Sequence, residues 1–375
     1  MKINKIYLYL SIGLTVRFLL LPLLHHENLI LQIFTIIIIF IAGIYLIRGT
    51  AEIISQSTGI LKDRTGLAGG LLQALGTAFP DMVIGVVSAL LSLKAAATDK
   101  TLAINLAIIA ASTTFGSNIY NILHAAYCLL RQNIANRKNK IIPMFPFLKN
   151  GANVKPFSQH KVKPPLTAIE SSLTILTFLS LLTTMVALSM VLFGKVSDIE
   201  NFFSGTLYQL SRPIGIVILL LSLLILYMFR KNHQSEPVSE EGNPYLHSHT
   251  LLIWLELIGA GIIILLAAES LVETMRVFSE LTHFPYVLTG IATAFIGCLG
   301  EMIVIHHLTV HPQGRIADAI TGVAIDNIVT TMGASFIAIL GGIFLGSDAL
   351  IIIFVLILFS NTLLMYQITN LKQHL

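Results

Sequence analysis

The sequence predicts an all-α polytopic membrane protein of about ten transmembrane helices that contains two inverted-topology repeats. Three observations predict it: an apolar composition, apolar runs of membrane-spanning length, and a layout that occurs twice. Of 375 residues, 55% are hydrophobic and only 11% are charged, against roughly 25% in an ordinary soluble domain. The mean hydropathy is +0.83. Soluble enzymes, nucleic-acid binders and fibrous proteins are thereby excluded. Cys128 and Cys298 both lie inside apolar runs and have neither disulfide-framework nor metal-site spacing.

Ten apolar runs of about 18 to 28 residues follow one another, each sufficient to cross a hydrocarbon core of roughly 30 Å. They cover 4–24, 29–48, 66–93, 102–130, 167–194, 212–229, 250–272, 286–308, 318–345 and 348–368. The first follows Lys2 and Lys5 as a signal peptide would, but the stretch after Pro22 has no pair of small residues for cleavage, so it reads as a retained extra span, 1–28. A first repeat is expected over 29–229, a cytoplasmic linker over 230–249, and a second repeat over 250–375. The run Glu236 to Glu241 reads as a solvated part of that linker.

Orientation follows from the cations. With the N-terminus in the cytoplasm, 17 Lys and Arg lie inside and 5 outside, while Arg17 sits within a span. That bias places both termini in the cytoplasm of a plasma (inner) membrane. The segment 131–165 holds eight cations, no acid and five prolines. It is expected to be a flexible basic loop that fixes topology beside anionic lipid.

Residues 41–81 and 259–301 share a helix, a short polar link, and a Gly/Ala/Thr-rich helix ending in Asp81-Met82 or Glu301-Met302. The copies begin at the second and seventh spans, five apart, so they cross the membrane in opposite senses. Such an inverted repeat points to a secondary transporter with its site near the midplane.

The chemistry gathers where the copies carry polar residues in mid-span. Asp81 closes the run Gly76-Thr77-Ala78-Phe79-Pro80-Asp81, and an intramembrane carboxylate is costly enough to mark function. Pro80 donates no backbone hydrogen bond and so releases the Gly76 carbonyl. Thr77 and Asp81, four apart, share a face. Hydroxyl, carboxylate and carbonyl oxygens suit a hard cation. On the next span, Ser117 and Asn121 share a face and Gly116 permits close helix approach. The second copy offers Glu301 in the run that Gly297 opens, then Asp326 and Asn327 on the span after. Three acids in all can balance one divalent cation or several monovalent ones. His306 and His307 read as interfacial, with proton sensing the sharper reading; Glu170, Glu256 and Glu273 lie near span ends or first turns and Glu269 within its span, with lining a pathway the sharper reading for the four.

These runs resemble the calcium/cation antiporter superfamily, which includes the sodium/calcium exchangers. Its members carry two inverted repeats, each with a Gly-Thr-Ser-x-Pro-Glu run and then a Gly-Ser-Asn-Ile-(Phe)-Asn run. Gly76 to Asp81 and Gly116 to Asn121 are similar to these, with Ala78 and Cys298 in place of serine and Gly300 in place of the second proline. The resemblance implies Asp81, Thr77, Ser117, Asn121 and Glu301 as ion-site residues, and the mid-span runs themselves add Gly76, Gly297, Asp326 and Asn327 to the candidate site. It implies an antiporter exchanging Ca²⁺ for Na⁺ or H⁺ by alternating access, with cations as substrates, the bilayer as surroundings and no cofactor. A cation channel and a degenerate, non-transporting scaffold of the same fold are the alternatives. An intramembrane enzyme is not expected, because the chain has no His-Glu-x-x-His, Gly-x-Ser-x-Gly or Gly-x-Gly-Asp run.

Overall fold

The computed structural model describes residues 3–65, 69–148, 152–159, 163–196, 206–232, 245–310, 316–341 and 343–375. Ten α-helices follow in order: α1 (Ile3–Thr15), α2 (Leu29–Thr65), α3 (Gly69–Ala95), α4 (Lys100–Lys138), α5 (Leu166–Phe193), α6 (Arg212–Asn232), α7 (Thr250–Thr282), α8 (Tyr286–Val310), α9 (Ile316–Leu340) and α10 (Ser347–Lys372). Each coincides with one of the ten apolar runs. Among the described residues, eight helical segments are long and apolar enough to cross a membrane, so the chain is a multi-pass membrane protein. The first, Lys5–His25, runs from α1 through a π turn (Val16–Leu20) into a 3₁₀ turn (Leu21–His25). Pro22, near the start of the 3₁₀ turn, marks where regular α geometry has been lost.

The helices take their places according to where they are polar. α4 is buried along nearly its whole length, Ala103 to Ala135, including Asn105, Ser112, Thr113, Thr114, Ser117, Asn118 and Asn121. Helices α3, α8, α9 and α10 pack around it. Hydroxyl-to-carbonyl bonds join these neighbours: Ser88 Oγ donates to the Leu106 carbonyl at 2.8 Å, Ser92 Oγ to Ala103 at 2.6 Å, and Thr113 Oγ1 to Gly290 at 3.1 Å. In a bundle without water, such small polar groups hold helices together while presenting little polarity to lipid. The outer helices instead expose Ile, Leu and Phe, as along α2 at Ile30, Ile33, Phe34, Ile37 and Ile41.

The ends of the bundle are tied separately. On one side, β3 (Lys195–Val196), β4 (Leu207–Gln209) and β5 (Phe344–Gly346) form an antiparallel sheet. On the other side, Arg64 at the end of α2 donates to the carbonyls of Ser248 at 2.6 Å and Leu246 at 2.7 Å, just ahead of α7. Tyr245 is buried there and hydrogen-bonds Glu256; burial first, and then that bond, push its phenol up, so it stays a neutral donor at neutral pH. Glu256 is thus an anchor for the chain entering α7.

The basic loop departs from its expected flexibility. α4 extends to Lys138, and the chain then folds back along it as a hairpin of β1 (Ile142–Pro143) and β2 (Asn153–Val154). Met144, Val154 and Phe157 are buried, and Tyr127, Arg131, Gln132 and Asn136 of α4 bond to the main chain of the hairpin region. Alternating Ile, Met, Phe and Val among the prolines supplied this small core, which the charge pattern concealed. The linker residues 233–244 and the run Glu236 to Glu241 lie outside the described residues.

A charged ladder joins the extra N-terminal helix to the bundle. Arg17 Nη2 meets Glu269 of α7 at 2.7 Å, and His25 Nε2 lies 3.4 Å from Glu273, which also holds Arg276. Arg17 lies 12 residues beyond Lys5, or about 18 Å along the helix path, so the pair sits within the apolar zone. Replacing Glu269→Gln leaves the guanidinium without its counter-charge, an expected loss of about 2 kcal/mol. The measurement is the thermal midpoint of the purified protein, and Arg17→Leu combined with Glu269→Leu should recover most of the loss.

Candidate functional site

The site forms where α3, α4, α8 and α9 meet at mid-bundle. α3 continues as a helix through Pro80 and delivers Asp81, which is fully buried. α8 delivers Glu301 and α9 delivers Asp326, each 3% exposed. The three carboxyl groups are close enough to repel one another. Into this cluster α4 inserts Asn121, whose amide nitrogen donates to Glu301 and lies 3.4 Å from Asp326 Oδ2. One amide therefore bridges two acids, one from α8 and one from α9.

The remaining oxygens are only partly occupied. Neither Asp81 oxygen accepts a hydrogen bond from the described residues, nor do Glu301 Oε1, Asn121 Oδ1, Asn118 Oδ1 or Asn327 Oδ1. Asn327 Nδ2 donates to the Val323 carbonyl at 2.7 Å, which fixes the side chain and leaves its oxygen unpaired. Ser117 lies beside Asp81 and donates back to the Thr114 carbonyl at 3.0 Å. Buried oxygens without donors are costly unless something positive meets them.

Small residues bring the backbones this close. A Cβ on Gly297 would collide with Asp81 Oδ1, so α8 passes directly over the α3 carboxylate. A Cβ on Gly116 would stand 3.0 Å from the Ala294 methyl, which sets the α4 to α8 spacing one turn before Asn121. These contacts give Gly297 and Gly116 a steric role in the site.

The structure thus brings together Asp81, Glu301, Asp326, Asn121, Ser117 and Gly297, with Asn327 on the same helix as Asp326. The surroundings of Gly76 and of the Thr77 side chain lie outside the described residues. Among the described residues, no group of three or more His, Cys, Asp or Glu is arranged as a ready metal cage. The cluster is instead a mixture of acid, amide and hydroxyl oxygens, the kind of donor set that hard cations accept.

Two participants escaped sequence reasoning. Asn118 has a buried, unpaired oxygen, but its place in the run offered only a neighbour of Ser117. Cys298 had no metal-ligand spacing, yet its buried thiol lies within electrostatic range of all three acids. Its signal was its position three residues before Glu301, where the resembled family carries serine. Of the other polar groups, His306 stacks on Phe145 of the hairpin at 5.4 Å between ring centroids, Glu170 pairs with Lys372 at 2.9 Å, and the His307 side chain lies outside the described residues. On the side of the site toward the hairpin, the gap lined by Ala125, Leu129, Ile305, Thr309, Ala319 and Ile320 is too tight for a water molecule.

No family model matches the chain, and no curated protein matches its sequence. Solved structures do match its fold. The H⁺/Ca²⁺ exchanger CAX superposes with a TM-score of 0.59 at 14% identity, covering 98% of this chain and 96% of that one. Native YfkE gives 0.58 at 15% identity, covering 97% and 96%. The sodium-calcium exchanger NCX_Mj gives 0.50 at 16% identity, covering 87% and 90%. Over most of its length, then, the chain shares the fold of these three proteins, at 14–16% sequence identity.

Proposed function

We propose that this chain is a secondary active cation antiporter, carrying Ca²⁺ against Na⁺ or H⁺ by alternating access at the Asp81, Glu301 and Asp326 cluster. The observation that carries the reading is the convergence of three buried carboxyl groups with Asn121 at one point between α3, α4, α8 and α9. The fold shared with H⁺/Ca²⁺ and Na⁺/Ca²⁺ exchangers supports it. In this reading 29–229 and 250–375 are the two inverted repeats, and the termini lie on the cytoplasmic side of a plasma (inner) membrane.

The chemistry follows from the cost of the empty site. Three acids out of contact with water repel one another, and a divalent cation cancels most of that repulsion. Asn121, Asn118, Asn327 and Ser117 supply neutral oxygens that replace the ion's hydration shell. When the cation leaves, Na⁺ ions or protons must take over the neutralising role before the helices repack. That requirement ties outward movement of one ion to inward movement of the other, because crossing with a charged, dry and empty site is the costly step.

Radiolabelled Ca²⁺ uptake into proteoliposomes tests the exchange directly. Uptake is expected with an imposed Na⁺ or pH gradient and absent without one; gradient-independent, ohmic flux would mark a channel instead. Asp81→Asn should lower gradient-driven uptake at least tenfold while leaving the thermal midpoint within a few degrees of the parent. Uptake unchanged by Asp81→Asn would remove the cluster from the pathway. A second measurement addresses the packing over Asp81: Gly297→Ala forces α8 away from α3, at an expected cost of about 1–3 kcal/mol. The check is a lowered thermal midpoint together with a loss of any Ca²⁺-induced stabilisation seen in the parent protein.

A further inference from the structure

We propose that the hairpin after α4 is a membrane-surface anchor, whose exposed Phe147 and Leu148 insert into the lipid leaflet beside it and whose cations hold anionic lipid headgroups. The first observation is depth. The Tyr127 hydroxyl donates to the Met144 carbonyl at 2.7 Å. Tyr127 lies 11 residues before the end of α4, so the hairpin turns back toward the bilayer by about 16 Å along the helix. Phe145 stacks between Tyr127 at 5.8 Å and His306 at 5.4 Å, and His306 lies one turn before the end of α8. The hairpin therefore sits at the level where a membrane helix leaves the apolar zone.

The second observation is what the hairpin presents at that level. Met144, Val154 and Phe157 face inward and are buried, while Phe147 is 90% exposed, Leu148 60% and Ile141 50%. A chain that has built a core from its neighbours leaves three large apolar side chains outside it. Aromatic and aliphatic side chains at an interface partition into the headgroup and acyl boundary. The third observation is charge. The segment 131–165 contains eight cations and no acid. Arg131 is used on the Pro143 carbonyl, but Arg137, Lys138 and Lys140 are exposed and Lys155 is partly so. Exposed cations in the same segment as exposed apolar side chains complement an anionic lipid surface, and the long stems of Lys and Arg let the charges reach phosphate from slightly buried positions.

A single-tryptophan protein tests the anchor. The chain has one tryptophan, Trp254, so Trp254→Phe with Phe147→Trp gives a probe at the tip alone. The full chain is reconstituted into vesicles of phosphatidylcholine, or of phosphatidylcholine with phosphatidylglycerol, each with and without acyl-brominated lipid. Brominated lipid is expected to quench the probe, at least twofold more strongly in the anionic vesicles, with acrylamide quenching reduced to match. Lys140→Gln with Lys155→Gln should return the anionic value toward the neutral one. Leu148→Trp in the same background repeats the reading, so a folding failure of one variant leaves the other. A probe equally open to acrylamide in both membranes, or untouched by brominated lipid, overturns the proposal.

Discussion

The rest of the structure depends on keeping three carboxyl groups together inside a bundle that has lipid on its outside. Asp81, Glu301 and Asp326 come from three different helices, and their mutual repulsion opposes the packing that brings them together. The bundle responds by placing its most polar helix, α4, at the centre and closing α3, α8 and α9 around it. Asn121 then serves two acids at once. The steric allowances at Gly116 and Gly297 belong to the same constraint, because larger side chains there would separate the helices whose polar groups must meet. Stability and site are therefore the same arrangement seen twice: polar groups that a membrane core would reject are kept by being turned toward one another.

Charges away from the centre are handled by a different rule. Arg17, Glu269, Glu273 and Arg276 are paired within the α1 and α7 ladder, and Lys372 with Glu170 near a membrane surface. Each cation there has an acid within reach. The cluster differs in that Asp81 and Glu301 keep oxygens without a hydrogen-bond partner among the described residues, and buried negative charge of that kind is costly unless something positive meets it. Burial alone does not mark out the cluster, since Glu256 is about as buried as Asp81, Glu301 and Asp326 yet lies apart from them against Tyr245.

The apolar runs made the helices legible because hydrocarbon admits so few backbone structures; all ten appeared at positions close to those expected, from Lys5–His25 to α10. Asp81, Glu301 and Asp326 were legible for the complementary reason that a mid-span acid is conspicuous. What the sequence did not disclose was pairing in space. Nothing near Arg17 in the chain announces Glu269, and nothing near Asn121 announces Glu301, 180 residues away. The hairpin was misread as flexible because its charge and prolines outweighed the alternating apolar residues that fold it. In that segment composition reported the surface while the pattern of Met144, Val154 and Phe157 determined the structure.

The site and the hairpin are joined by the same two helices. α4 carries Asn121 and, six residues on, Tyr127; α8 carries Glu301 and, five residues on, His306. Asn121 meets Glu301, and Phe145 fills the space between Tyr127 and His306. A helix is stiff over two turns, so a displacement of α8 against α4 large enough to part the amide from the carboxylate also changes the slot that holds the phenyl ring. Because packed interfaces exchange one arrangement for another rather than stretch continuously, the ring must either follow or leave. The tight gap of Ala125, Leu129, Ile305 and Thr309 runs along the same two helices.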